Sequence, residues 1–253
     1  MTSYTPVTEL PGSGATREQL MMLATRYRLA ADVASGRDIL EVACGPGIGL
    51  GYLARGARRV VGGDVDAGLL QAAKRHYGRR VSLLRLDAHT LPFADRAFDA
   101  VILFEALYYL AAPERFVREA RRVLRPSGTV LISTVNRDWR GFNPSPFSTR
   151  YFSAGELRTL LESGGFAVEL LGGFPSGASS MGAKALALAR EGAVRLRLIP
   201  PTMRGKQLLK RLVYGPLTAL PFELEDGPAA PLIPLRGDAS VQEFKILYAL
   251  GQA

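Results

Sequence analysis

Along residues 38–134 the chain alternates short apolar runs with stretches of helical periodicity, and this alternation limits its folds more than any other feature. The runs DILEVA (38–43), RVVGGD (59–64), VSLLRL (81–86), FDAVILF (98–104) and GTVLIST (128–134) have the length of buried strands. Helix-patterned stretches around 50–57, 66–76 and 113–124 separate them. Near-continuous apolar strands spaced by helices indicate βαβ units, and so a parallel sheet covered on both faces. Right-handed crossovers then make a doubly wound α/β sandwich, which binds ligands beyond the carboxyl ends of its strands at the topological switch point. A helix over about 17–35 leads into the first strand, because Thr16 and Gln19 stand at capping-box spacing and Gly36 stops the run.

The rhythm loosens after residue 134. Residues 136–152, NRDWRGFNPSPFSTRYF, form a polar and aromatic insertion longer than most connections in compact domains, which points to a substrate loop. Its Trp139, Phe142, Phe147, Tyr151 and Phe152 with Arg137, Arg140 and Arg150 are candidates for a substrate wall, or for a loop that buries its own rings over the sheet edge. Ser153 and Glu156 form a second capping box that opens a helix to about 163, followed by a strand at 166–171. Residues 178–215 read as a basic helical lid, a proline-marked loop follows, and VQEFKILYAL (241–250) reads as the final strand. The expected organisation is one domain over 1–253 with its ligand-binding core at 17–171.

Composition removes whole classes of function. With 47% hydrophobic and 22% charged residues the chain is no disordered or collagen-like polymer. A single cysteine, Cys44, and two histidines leave no disulfide framework or zinc-ligand set, so no metal is expected. The net charge of +9 is concentrated: eight cations between 184 and 211 face only Glu191. Such a segment suits an anionic small molecule or peripheral membrane contact, or is simply a solvated face. The start MTSYTPVTELPGSG lacks the basic and apolar regions of a signal peptide, and no run of about 18 apolar residues could span a bilayer, so a cytoplasmic location is expected.

The most informative stretch is Glu41-Val-Ala-Cys-Gly45-Pro-Gly47-Ile-Gly49, where the first strand hands over to a helix. Glycines there allow positive φ and close approach of backbone to a ligand. The second strand ends in Asp64, placed to accept from ribose hydroxyls, which implies a nucleoside-containing cofactor. The dinucleotide fingerprint G-x-G-x-x-G fails, since counting from Gly45 brings Leu50, and from Gly47 Tyr52, to the third glycine position. Glu41 and Asp64 flank the turn, and like charges a few Å apart at low effective dielectric disfavour a pyrophosphate and favour a cationic ligand.

These residues resemble the class I S-adenosylmethionine-dependent methyltransferases, particularly the quinone- and sterol-methylating type. The matching stretches are ILEVACGPGIG (39–49), VVGGDVD (60–66), LRLDAHTLPFADRAFDAVILFEALYYL (84–110) and REARRVLRPSGTVLIS (118–133). The resemblance implies a Rossmann-like sheet of seven strands in the order 3-2-1-4-5-7-6 with the last antiparallel, and S-adenosylmethionine as cofactor with S-adenosylhomocysteine as product. It implies cofactor contacts from Ala43, Gly45 and Gly47 beneath the methionine part and from Glu41 to the ammonium. Asp64 would hold the ribose, Val65 would flank the adenine, and Asp87 and the Ala88 backbone would pair with it. Phe104 and Glu105 would lie near the transferred methyl, and Arg26 and Tyr27 would close over the cofactor.

Glu105, Tyr108 and His89 are the candidates to take the acceptor's proton, weighed against a cofactor-side bond for Glu105 and packing for His89. Tyr109 follows the same strand, Cys44 reads as a small buried residue, and His76 as an exposed helix end. The leading expectation is methyl transfer to a small-molecule acceptor, anionic or lipid-like. The competing ones are an RNA methyltransferase, for which EALYYL after the fourth strand lacks an Asn-Pro-Pro-Tyr-like motif, and a cofactor-binding regulator without turnover.

Overall fold

The computed structural model describes residues 4–176, 217–236 and 241–253. The segment read as a basic helical lid, 178–215, lies outside the described residues. Seven long strands build the main sheet: β1 (Asp38–Val42), β2 (Arg59–Asp64), β3 (Ser82–Arg85), β4 (Phe98–Phe104), β5 (Leu124–Val135), β6 (Ala167–Pro175) and β7 (Phe244–Gln252). They lie side by side as 3-2-1-4-5-7-6, and β7 runs antiparallel to both neighbours. The others from β3 to β5 pair in parallel. The sheet has eight strands where seven were expected, because Ile233–Pro234 pairs antiparallel with β6 at its outer edge. Proline suits such an edge, where no partner needs its missing N–H.

Helices α1 (Arg17–Ala34), α2 (Leu50–Ala54) and α3 (Ala67–Tyr77) cover one face, while α4 (Pro113–Val123) and α5 (Ala154–Ser163) cover the other. Alternation along β1 divides the two cores: Ile39 packs with Leu23, Ala30 and Leu53, and Leu40 with Val117 and Leu161. Every residue of β1 is buried, as a central parallel strand requires. Both sequence-legible capping boxes form, at Thr16 with Gln19 and at Ser153 with Glu156. Asp66 caps α3 through the amides of Gly68 and Leu69.

The differences from the expected boundaries have local causes. Helix α2 ends at Ala54 rather than 57, where Gly56 and Ala57 bond back into its last turn. β5 starts at Leu124, ahead of the expected 128, because its register against β4 breaks between Phe98 and Ala100 and the strand continues through Pro126 and Ser127, which has φ +62°. β6 runs on to Pro175, beyond 171, since β7 and the edge segment pair with its second half. The last strand begins at Phe244 rather than 241, after a turn closed by Phe244 N–H to Val241 O at 3.3 Å.

At the amino ends of the strands, Asp38 and Asp99 bind Arg58 and Arg125, with Asp38 N–H to Asp99 Oδ2 at 2.8 Å. The Arg58 guanidinium, overcoming burial, is the main cause holding Asp38 well below the usual carboxylate range. That end is thereby fixed by ion pairs, and the chemistry-bearing groups collect at the other.

Candidate functional site

A crevice of about 520 Å³ opens at the carboxyl ends of β1, β2 and β4, where a doubly wound sheet changes strand direction. Its floor is the turn after β1. Gly45 and Gly47 take φ +57° and +81°, the left-handed region where glycine carries no side-chain clash. Gly49 serves close approach, since a Cβ there would sit 1.9 Å from the Tyr27 ring. Ala43 also has φ +57° and Glu105 φ +50°, so the backbone is strained where β1 and β4 each leave the sheet.

Above the turn, Tyr27 donates its hydroxyl to Glu41 Oε1 at 2.5 Å and sets its ring edge-on to Phe104 with centroids 5.3 Å apart. Glu41 is 2% exposed, and its Oε2 is buried without a partner. Burial pushes its carboxyl up to about 7, against the opposing hydrogen bond from Tyr27 and the charge of Arg26. Arg26 pairs with Glu9 at 3.1 Å, and its Nε is likewise buried with no partner. The sequence missed Glu9, Tyr4, Val7 and Thr8, which line the crevice, because no periodicity or motif marks residues 4–10.

Asp64 lines the crevice and spends both oxygens on backbone: Oδ2 accepts from Gly45 N–H at 2.8 Å and Oδ1 from Asp66 N–H at 2.8 Å. It therefore ties the glycine turn to the end of β2 while burial raises its pKa against those bonds. Val65, Leu86, Asp87 and Ala88 follow along the same wall. Asp87 Oδ1 accepts from His89 N–H at 2.8 Å and bonds His89 Nδ1 at 2.6 Å. His89 Nε2 accepts from Ala112 N–H at 3.2 Å, so Nδ1 carries the proton and both ring nitrogens are committed. This bridge favours the packing role for His89 over the base role.

Glu105 stands at the far wall, its N–H bonded to Ser133 O at 2.9 Å. Its Oε1 accepts from Ser133 Oγ at 3.1 Å and its Oε2 from the Tyr108 hydroxyl at 3.4 Å. Burial raises its pKa, opposed chiefly by Arg26. Burial likewise raises the pKa of Tyr108 and of Cys44, which disfavours a Cys44 thiolate.

None of the insertion 136–152 is among the residues that line this crevice. Trp139, Tyr151 and Phe152 are buried, Tyr151 stacks on Tyr108 at 4.7 Å, and Ser145 Oγ bonds the Tyr109 hydroxyl at 2.9 Å. The loop thus braces Tyr108 and Tyr109 from behind. Its cations are engaged as well, Arg137 and Arg150 with Glu156 and Arg140 with Gln242. His76, expected at an exposed helix end, instead bonds Glu223 at 3.0 Å and stacks on Phe222.

Glu9, Glu41, Asp64, Asp87 and Glu105 line the crevice, and among the described residues Arg26 is the one guanidinium that joins them. Such a wall suits a ligand with cationic groups and one anionic end, and repels a pyrophosphate. No group of three or more His, Cys, Asp or Glu that could hold a metal ion occurs among the described residues.

Fold and crevice define a Rossmann-like α/β domain with a glycine turn at the switch point. Residues 40–132 match the model of the family described as a methyltransferase domain. Over 149 residues it is 40% identical to a probable S-adenosylmethionine-dependent methyltransferase of Mycolicibacterium smegmatis, covering 56% of this chain and 57% of that one. Over 113 residues it is 40% identical to a phthiotriol/phenolphthiotriol dimycocerosates methyltransferase of Mycobacterium ulcerans, covering 43% and 42%. The chain spans about half the length of the curated relatives it matches. Among solved structures, a SAM-dependent methyltransferase from Thermotoga maritima superposes with TM-score 0.58 at 16% identity, covering 92% of this chain and 90% of that one. The cyclase SpnF gives 0.60 at 22%, covering 96% and 84%, so the shared fold serves more than one chemistry.

Proposed function

We propose that this protein transfers a methyl group from S-adenosylmethionine to a small, lipid-like acceptor. The observation that carries the reading is the pair of buried, unpartnered atoms on two residues that line the crevice, Glu41 Oε2 and Arg26 Nε. An unsatisfied buried polar atom costs about 1–3 kcal/mol, and an α-amino acid supplies both missing partners, an ammonium for Glu41 and a carboxylate for Arg26. The residues present therefore fit the cofactor's methionine end. Asp64 would hold the ribose on the outward lone pairs its backbone bonds leave, and Val65, Asp87 and the Ala88 backbone would receive the adenine. When bound, the cofactor supplies a sulfonium methyl that is electrophilic without a metal.

The chain's own contribution is placement and one proton. Tyr27 and Phe104 exclude water above the glycine turn. Burial raises the pKa of Glu105, so its carboxylate is more basic than a solvated one, as suits a general base. It accepts the acceptor's proton at the oxygen that Tyr108 approaches, while Ser133 keeps the other oxygen in place. The relatives named for phthiotriol dimycocerosates support a lipid-like acceptor with a hydroxyl.

Incubation with methyl-labelled S-adenosylmethionine and cell extract, followed by separation of lipid, polar small-molecule and RNA fractions, tests the reading. Label is expected in the lipid fraction. Label in RNA alone, or binding of the cofactor with no label transferred to any fraction, overturns it.

A further inference from the structure

Residues 4–10 cross the mouth of the crevice as a strap. On one rim Tyr4 N–H donates to Asp66 Oδ2 at 2.9 Å, and on the other the Tyr4 ring meets Tyr109 with centroids 5.3 Å apart. A short turn, Thr5–Val7, leads to Thr8, whose hydroxyl bonds back to Tyr4 O at 2.9 Å and whose methyl group faces Gly45. Glu9 then reaches inward to the terminal nitrogen of Arg26. No residue of that turn is buried, so the strap is held by a handful of polar contacts rather than by a core.

Arg26 is mostly buried, with 14% of its side chain exposed, and it presents a planar fork of donors that matches a carboxylate. Glu9 occupies only one terminal nitrogen of that fork. Glu41 and Glu105 also lie close enough for their charges to act on or answer to Arg26. A further free carboxylate cannot join Glu9 there without repulsion that one guanidinium does not offset.

Given the methyl donor proposed above, we propose that Glu9 is a built-in stand-in for the donor's α-carboxylate, latching the strap over the crevice until that carboxylate displaces it from Arg26. Displacement lowers the apparent affinity by the fraction of molecules whose latch is open. The latch acts only on ligands that carry a carboxylate. A nucleoside without the amino-acid end leaves Glu9 on Arg26.

Calorimetry on the full chain with S-adenosylhomocysteine and with 5′-methylthioadenosine, which lacks the amino-acid end, tests the latch through Glu9→Gln. The variant is expected to bind S-adenosylhomocysteine about two- to fivefold more tightly, the scale of a partly exposed ion pair, and methylthioadenosine unchanged. Hydrogen exchange gives a second readout without turnover. The amides of Tyr4 and Val7 exchange faster in the ligand-free variant, and in the parent they speed up on adding S-adenosylhomocysteine but not methylthioadenosine. Equal effects on both nucleosides, weaker binding of S-adenosylhomocysteine by the variant, or slower strap exchange with that ligand overturns the latch alone. Failure of the parent to bind either nucleoside overturns the methyl-donor reading and the latch with it.

Discussion

Replacing Glu41 by Gln separates what the fold needs at this position from what a ligand needs. The Glu41 carboxyl is pushed from the ordinary 4.5 to about 7, and the cause is burial with one oxygen unpartnered. At 1.36 kcal/mol per pH unit that interval is worth about 3 kcal/mol. Its sign follows from proton counts. Between pH 4.5 and about 7 the folded chain keeps a proton that the unfolded chain has lost, so stability is fully present below the lower value and falls as pH rises through the upper one. Gln resembles the neutral acid and still accepts from the Tyr27 hydroxyl. Urea unfolding should therefore find the variant equal to the parent near the acid end of the range, and about 3 kcal/mol more stable above about pH 8. Binding moves the other way. Loss of the charge-assisted bond to the ligand's ammonium should weaken S-adenosylhomocysteine by about 1.5–3 kcal/mol. Near pH 7 the parent should release a proton on binding and the variant should not. A stability gain that is the same at every pH, or unweakened binding in the variant, refutes the reasoning.

Ala43→Gly relieves a left-handed backbone that costs a non-glycine residue about 1–2 kcal/mol, against about 0.5–1 kcal/mol for glycine's extra freedom when unfolded, so thermal unfolding should show a gain of up to about 1 kcal/mol. A fall in Tm argues against strain at this residue. Gly49→Ala places a methyl 1.9 Å from the Tyr27 ring and must push α1 off the turn, with a loss of about 1–3 kcal/mol in denaturant unfolding and broken Tyr27–Glu41 contact. Unchanged stability refutes that packing. Glu105→Gln should cut turnover by about 10²–10⁴-fold and remove the acidic limb of the pH–rate profile, while S-adenosylhomocysteine affinity in calorimetry stays within about threefold. A profile that keeps the limb removes Glu105 as the base.

The order of strands and helices, the two capping boxes and the glycine turn were legible because each is written in local periodicity or in adjacent residues. The apolar run DILEVA reads as a strand buried on both faces, and its first five residues form one, while a turn holding Gly45 and Gly47 can take a backbone other residues resist. Motif resemblance carried the placing of Glu41, Asp64 and Asp87 along one rim, and the crevice does bring them together. It could not foresee that both Asp64 oxygens brace backbone, or that His89 is locked between Asp87 and Ala112. Those facts depend on partners brought near only by folding.

By itself, then, the sequence determined the layered α/β sandwich and the end of the sheet at which chemistry collects, since hydrophobic periods of two and 3.6 residues are local properties. Tertiary structure decided the rest. Tyr4 reaches Asp66 across 62 residues, Tyr109 rests on the insertion, Pro234 finds an edge of β6, and Glu41 is denied a partner for one oxygen. Charge, burial and proton affinity at those positions belong to the assembled surroundings, because the energy of an ionised group is set by the dipoles and charges around it and not by its neighbours in the chain.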